Sequence, residues 1–385
     1  MDLSKLLIEH SLREGFALAG VIDIDLAFED PHGLFSKHVQ RYHDWINQGY
    51  AGSMEYLVRG REKRANPRLL FEEAESLLCV AIPYPRGAAG AQNPQTGPRY
   101  ARYLQGEDYH ITLSEKLERV MQHVAASWTP QNQASSPLRW KVCVDTSSVL
   151  ERSWAALAGL GWIGKNSLLI HPQHGSYLFL AEVLINQKTG QGPKPLPSYC
   201  GNCTRCLKAC PPQALLEPGV LDSNRCISFW TLEKRGELPL TEHQKNALSC
   251  WIAGCDICQE VCPFNIKPTH KELQTKLNSP LSPTHHATQL QDWLDLLQET
   301  PEQYKIRVKN SALNRVKPAQ FRRNLALTLR NSLSRITDSD STPWEWLMKL
   351  RPLIHQKLQD ESDEATKKEW IHCWNKLEEK LGKQI

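Results

Sequence analysis

Over the first 190 residues, short apolar runs alternate with amphipathic stretches. SKLLIEHSLREG (4–15) has the spacing of an opening helix, and FALAGVIDI (16–24) follows as an apolar strand. SLLCVAIPYP (76–85) is a continuous apolar run closed by prolines, which suits a strand buried on both faces. Between Tyr109 and Trp128 the apolar residues Ile111, Leu113, Leu117, Val120, Met121 and Val124 recur at mostly helical spacing. RWKVCVD (139–145) then reads as a strand, SVLERSWAALAGLG (148–161) as a helix and SYLFLAEVLIN (176–186) as another strand. Strands alternating with helices predict a layered α/β unit over 1–190.

The pattern breaks at QKTGQGPKPLPSY (187–199), whose Gly and Pro content marks a boundary. A cysteine-rich segment occupies 191–268. From 269 to 385 the strand-like runs cease, and QLQDWLDLLQET, QFRRNLALTLRNSL, PWEWLMKLRPLIHQKL and KKEWIHCWNKLEEKL all read as amphipathic helices. Helices of this length can stack as degenerate, HEAT-like repeats.

A length of 385 residues agrees with two or three such domains. With 41% hydrophobic residues the chain can build a sizeable core, and no run of ~18 apolar residues suggests a membrane span. The N-terminus has charges on both sides of a short apolar run and no small-residue cleavage site, so a cytoplasmic protein is expected. The informative number is 12 cysteines, nine of them between Cys200 and Cys262. A local cluster in a chain of this length points to metal or redox chemistry before a disulfide scaffold.

The first group, Cys200-Gly-Asn-Cys203-Thr-Arg-Cys206-Leu-Lys-Ala-Cys210-Pro211, has the bacterial ferredoxin spacing. Three thiolates in a tight turn grip three irons of one [4Fe–4S] cube, and the fourth ligates a neighbouring cube. A structural zinc needs only four ligands and leaves the second group, Cys255-Asp-Ile-Cys258-Gln-Glu-Val-Cys262-Pro263, unexplained. By the crossing rule, one cluster takes Cys200, Cys203, Cys206 and Cys262. The other takes Cys210, Cys255, Cys258 and either Cys226 or Cys250. Spacing alone leaves both open. Cys226 is preferred, because a five-residue separation from Cys255 is unusual for a ligand pair in one loop, and Cys250 suits a small buried residue.

GLGWIGKN (159–166) imitates a nucleotide-binding motif, but its glycines follow a helix where the dinucleotide fingerprint needs a preceding strand. Asn166 also stands where a phosphate loop needs Ser or Thr to hold Mg²⁺. A glycine turn that lets backbone approach a large ligand is the expected role. Asp145 ends an apolar strand, and a catalytic carboxylate and a helix N-cap are equally open there. Asp108-Tyr109-His110 gathers three proton-transfer groups, with a cap and a half-buried aromatic as the bland alternative. Between Lys305 and Arg335 there are nine basic residues and no acidic ones, although the whole chain carries only +4. Such a one-sided field attracts nucleic-acid phosphates.

Several stretches, in order, resemble the epoxyqueuosine reductases: REKRANPRLL (61–70), GEDYH (106–110), VDTSSVLERSWAALAGLGWIGKN (144–166), GSYLFLAEVL (175–184), CGNCTRCLKACPPQAL (200–215), NRCISFWT (224–231) and GCDICQEVCPFN (254–265). FRRNLALTLRNS (321–332) resembles a motif of the family's helical C-terminal part. The resemblance implies an α/β cobalamin-binding reductase core, a two-cluster ferredoxin-like segment and an α-helical, tRNA-binding C-terminal part. It implies reduction of epoxyqueuosine to queuosine at the wobble position of tRNA, with base-off cobalamin fed by two [4Fe–4S] clusters. It assigns Cys226 to the second cluster and makes Asp145 the proton donor, so a site that raises its carboxyl by burial is expected. Arg64, Ala101, Asp145, Leu169, Leu180, Ser228 and Asp256 are implied along the cobalamin. The partners implied are a tRNA anticodon stem-loop and an external electron donor, and the chain is expected to be a monomer. Some family members have a longer C-terminal repeat region, which leaves the grip on tRNA less defined than the core chemistry. Two competing readings are a reductive dehalogenase, which would carry an export signal, and a non-catalytic iron–sulfur protein that binds nucleic acid.

Overall fold

The computed structural model describes residues 2–84, 97–129, 136–266, 290–336 and 344–382. The boundary expected near 268 therefore lies outside the described residues.

The first unit is built on one four-stranded sheet, ordered β1 (Leu18–Asp23), β2 (Ser76–Pro83), β7 (Leu178–Ile185) and β4 (Trp140–Cys143). All three pairings are antiparallel. The layered α/β unit is present, but its sheet is not the parallel one of a doubly wound fold. Long apolar runs report burial on both faces and say nothing of strand direction. Leu78, Val80, Ala181 and Val183 face the helices Leu3–Arg13 and Tyr109–Ser127 in one core. Leu77, Cys79, Cys143 and Leu184 lie in a second core, with Phe35 of helix Leu34–Asn47 and Trp154 of helix Glu151–Leu157.

Two short strands, β5 (Trp162–Ile163) and β6 (Leu169–Ile170), form a hairpin after the Glu151–Leu157 helix. GLGWIGKN is the approach to that hairpin. A Cβ on Gly161 would fall 2.4 Å from the Ile170 carbonyl oxygen, so this glycine lets the hairpin's own backbone close.

The cysteine segment holds a small hairpin, β8 (Leu215–Glu217) with β9 (Val220–Leu221), and the helices Arg205–Ala209, Ile227–Leu232 and Ile257–Glu260. It is stitched to the first unit by β10 (Trp251–Ala253), which pairs in parallel with β3 (Arg99–Tyr100). The C-terminal helices centre on Pro318–Arg335, which packs on Glu364–Gly382 and on β10. A buried ion pair, Lys245 to Glu369 at 2.7 Å, ties the cysteine segment to the last helix.

The arginines of the basic run are engaged within the chain. Arg307 pairs with Glu299 at 2.6 Å, Arg322 with Glu361 at 2.8 Å and Arg330 with Glu242 at 3.0 Å. Arg315 pairs with Glu233. Arg323 is 1% exposed and donates to the carbonyls of Trp230, Lys234 and Gly236. Arg335 donates to the Ser249 hydroxyl. Of the nine cations read as one field, only Lys305, Lys309 and Lys317 are exposed with no ion pair or side-chain hydrogen bond described. Charge counting cannot see neutralisation by residues far away in sequence.

Candidate active site

The eight cysteines of the crossed assignment fall into two neighbourhoods. Burial pushes the Cys262 thiol up, and the charges of Cys200, Cys206 and Cys203 push it further. Burial does the same to Cys258, where the neighbouring sulfurs are first Cys226, then Cys210 and Cys206. Cys255 feels burial and then Cys258 and Cys226. Thus Cys200, Cys203, Cys206 and Cys262 gather in one place, and Cys210, Cys226, Cys255 and Cys258 in an adjacent one. Donors point at the sulfurs: Trp162 Nε1 reaches Cys200 Sγ at 3.4 Å and the Ala214 amide reaches Cys210 Sγ at 3.3 Å. Cys250 lies in the main apolar core, where the charges acting on it are Arg335 and Arg99 rather than other thiols. All twelve cysteines are free of disulfides. Eight soft thiolate donors in two fours suit two iron–sulfur cubes.

Asp145 follows edge strand β4 in the left-handed region, with φ 50°. It is not a helix cap, because the next helix begins at Glu151 with Leu150 at its cap. Its Oδ2 instead lies 3.0 Å from His110 Nε2, while His110 Nδ1 lies 2.6 Å from Asp108 Oδ1. Asp108 caps the Tyr109–Ser127 helix by accepting from the His110 amide at 3.1 Å, so the cap and the site are one arrangement. Tyr109 stacks between Phe179 and His110 and holds that turn on the sheet.

Burial lowers the His110 pKa, but the hydrogen bonds to Asp108 and Asp145 outweigh it and raise it to about 9. Burial pushes Asp145 up, but the hydrogen bond and charge of His110, then the charge of Arg315, bring it below the usual carboxylate range. This overturns the expectation that burial alone protonates Asp145. At neutral pH the transferable proton sits on His110, hydrogen-bonded to an ionised Asp145 that is 43% exposed. Behind it, Glu151 accepts from the Asp145 amide at 2.6 Å, and burial followed by the Asp145 charge pushes its carboxyl up to about 8.

The residues implied along the cobalamin are spread around this centre. Arg64 is buried and donates to the Ser148 hydroxyl at 3.2 Å, bracing the Asp145 loop. Ala101 and Asp256 are joined through the Arg102 amide, which donates to Asp256 at 2.7 Å. Burial pushes Asp256 up to about 6. A Cβ on Gly254 would meet that of Ala101 at 2.4 Å, so the second cysteine loop lies directly on this strand. Leu169 and Leu180 share the apolar core of the Glu151–Leu157 helix. Ser228 lies in the first turn of the helix capped by Cys226. Asn166, in the turn leading to Leu169, is buried and its Nδ2 has no acceptor among the described residues. Such a donor fits the amide-bearing rim of a corrin.

Three residues join the site that motifs and spacing do not single out. Arg315 belongs to the basic run, yet its charge acts on Asp145 and Tyr103. Glu151 sits inside the stretch 144–166 with nothing in its spacing to mark it. Glu182 carries the strongest overlooked signal, a lone acid within the eight-residue apolar strand Leu178–Ile185.

Two thiol nests beside a carboxylate–imidazole pair define an iron–sulfur oxidoreductase. Residues 199–265 match the 4Fe-4S double cluster binding domain, and residues 64–146 match the family model described as epoxyqueuosine reductase QueG. The chain belongs to the epoxyqueuosine reductase family. A Synechocystis epoxyqueuosine reductase is 39% identical over 298 residues, which cover 76% of this chain and 95% of that protein. A Synechococcus relative of the same name is 36% identical over 332 residues, covering 84% and 93%. Among solved structures, epoxyqueuosine reductase with an epoxyqueuosine-modified tRNA-Tyr stem loop matches at a TM-score of 0.71 with 26% identity, covering 98% of this chain and 99% of that one. The Bacillus subtilis enzyme, solved with its catalytic aspartate loop swung out of the active site, also gives 0.71 and 26%, covering 97% and 98%. The cofactors are accordingly two [4Fe–4S] clusters and, as in the family, cobalamin.

Proposed function

We propose that this chain reduces epoxyqueuosine to queuosine at the wobble position of a tRNA anticodon stem-loop. The 3.0 Å contact between Asp145 and a protonated His110, beside two four-thiol nests, carries the reading. Cobalamin and the clusters, when bound, supply the reducing partner for carbon and the path for electrons. Asp145 passes the His110 proton to the departing oxygen, and Asp108 fixes the imidazole so that Nε2 faces Asp145. Cys200, Cys203, Cys206 and Cys262 hold one cluster, and Cys210, Cys226, Cys255 and Cys258 the other. Arg64, Ala101, Leu169, Leu180, Ser228 and Asp256 line the cobalamin, with Ala101, Leu169 and Leu180 acting through backbone or packing alone.

Of the three parts, 1–190 carries the reductase chemistry, 191–268 carries the clusters and lends Ser228 and Asp256 to the cobalamin site, and 269–385 grips tRNA. Lys305, Lys309 and Lys317 meet stem-loop phosphates, and the base enters the pocket as single-stranded loops permit. The chain acts as a cytoplasmic monomer served by an external electron donor. Among the described residues no helix is long and apolar enough to cross a membrane.

The test is anaerobic reconstitution with iron, sulfide and cobalamin, a strong reductant and an epoxyqueuosine-bearing stem-loop. Queuosine should form, and the Asp145→Asn variant should keep its iron and corrinoid absorption while losing product. No queuosine from the fully loaded wild type rejects the reading.

A further inference from the structure

Deleting an epoxide oxygen to leave an alkene breaks two C–O bonds, forms one C=C bond and releases water. The balance is two electrons and two protons. The electrons come from the external donor, but the His110–Asp145 pair holds only one proton. Once it discharges, a second must arrive behind it.

Glu182 stands in the middle of the sheet with 0% exposure, and neither of its carboxyl oxygens has a hydrogen-bond partner among the described residues. The register sets it opposite Cys79 on β2 and Cys143 on β4. On that face lies the Glu151–Leu157 helix, whose first residue, Glu151, accepts from the Asp145 amide. The groups facing Glu182 are therefore two neutral thiols from the flanking strands and acids from the helix and the Asp145 loop. The charges that act on it are those of Glu151 and then Asp145. Nearby cations serve other groups: Arg152 answers Glu151 and Asp145, Lys141 acts on Cys143, and His110 is bound to Asp145. An ionised, unpaired carboxylate in such a slab costs several kcal/mol, so the side chain is retained in its neutral form.

We propose that Glu182 and Glu151 form a two-carboxyl proton reservoir behind Asp145, and that this reservoir supplies the second proton of each epoxide reduction. The inference rests on the proposed reaction. Burial, and then the charge of the neighbouring acids, holds both carboxyls above the usual carboxylate range, so protons are present at the pH where the enzyme works. After Asp145 has delivered the first proton, a neutral Glu151 next to it becomes the nearest acid; Glu182 passes its proton to Glu151, and between turnovers both are re-protonated from solvent by way of Asp145, which is 43% exposed.

Two measurements on the purified holoenzyme test this. Infrared difference spectra between wild type and Glu182→Gln at neutral pH should show one protonated-carboxyl band that the variant lacks, beside the band of Glu151 that both keep. Absence of the first band from folded wild type overturns the proposal without any assay of turnover. In single turnovers of the pre-reduced enzyme on an epoxyqueuosine stem-loop, Glu182→Gln should slow queuosine formation at least about tenfold at pH 8. The loss should shrink towards pH 6, where solvent protons substitute. The glutamine keeps shape and neutrality, so a purely structural role predicts an unchanged pH profile, and that result also overturns the proposal. Wild type that makes no queuosine at all would instead reject the reaction on which the inference rests.

Discussion

The cysteine segment and the acid pocket lie side by side but are encoded in opposite ways. Every thiol of the two nests comes from one stretch, Cys200 to Cys262, and crossing two short motifs supplies seven of the eight, with Cys226 between them as the eighth. The pocket draws Asp108 and His110 from one helix start, Asp145 from an edge strand, Glu151 from a helix, Glu182 from a central strand and Arg315 from the C-terminal part. A metal cluster imposes its own geometry on loops that need only supply thiolates. Proton chemistry depends on where each carboxyl sits relative to water and to its neighbours, and only the tertiary structure settles that.

The sharpest way to break this contrast is to damage each region separately. Cys226→Ser should remove one cluster, roughly halving iron per chain and abolishing turnover, whereas Cys250→Ser should keep full iron. Iron loss only in the Cys250 variant would reverse the assignment. Asp145→Asn should cost on the order of 10²–10⁴ in single-turnover rate with both clusters intact, as removal of a general acid does. Lys245→Ala takes from the buried Glu369 its hydrogen-bonded cation and should destabilise the chain by about 3–5 kcal/mol, measured by denaturant unfolding of the holoenzyme.

A smaller effect is expected from pH. His110 is raised from 6.5 to about 9, so its charged contact with Asp108 and Asp145 is complete below about 6.5 and is lost as pH rises through 9. Turnover should fall on that alkaline limb, and His110→Gln should remove the limb from the pH profile. The smallest change should come from Lys305→Glu, Lys309→Glu or Lys317→Glu. Each should weaken stem-loop binding and lower the slope of log affinity against log salt by about one, while the rate at saturating substrate stays unchanged.

The same contrast explains what can be read from the chain. Apolar periodicity locates the strands at 76–83 and 178–185 and the long helices, because burial leaves a repeating mark on a sequence. Cysteine spacing locates the cluster segment, and the resemblance of short motifs points to Asp145. The antiparallel order of the sheet leaves no mark. Neither does the fate of the arginines, since nothing near Arg323 announces the three carbonyls of 230–236 that surround it. The protonation of Asp145 escapes the sequence for the same reason: His110 lies 35 positions away, and its hydrogen bond and charge, joined by the charge of Arg315, together outweigh burial.

The C-terminal part also reaches the pocket. The Asn310 carbonyl accepts from the Asp108 amide at 2.9 Å, and the Ser311 hydroxyl donates to the Leu104 carbonyl at 3.1 Å. Both contacts span more than 200 positions. A chain emerging from the ribosome can form its sheet and gather its thiols well before residue 310 exists, because domains fold as they are made, N-terminal first. The loop that aims His110 at Asp145 gains its last braces only near the end of synthesis. However early the sheet forms, the site is finished only when the C-terminal part has packed against it.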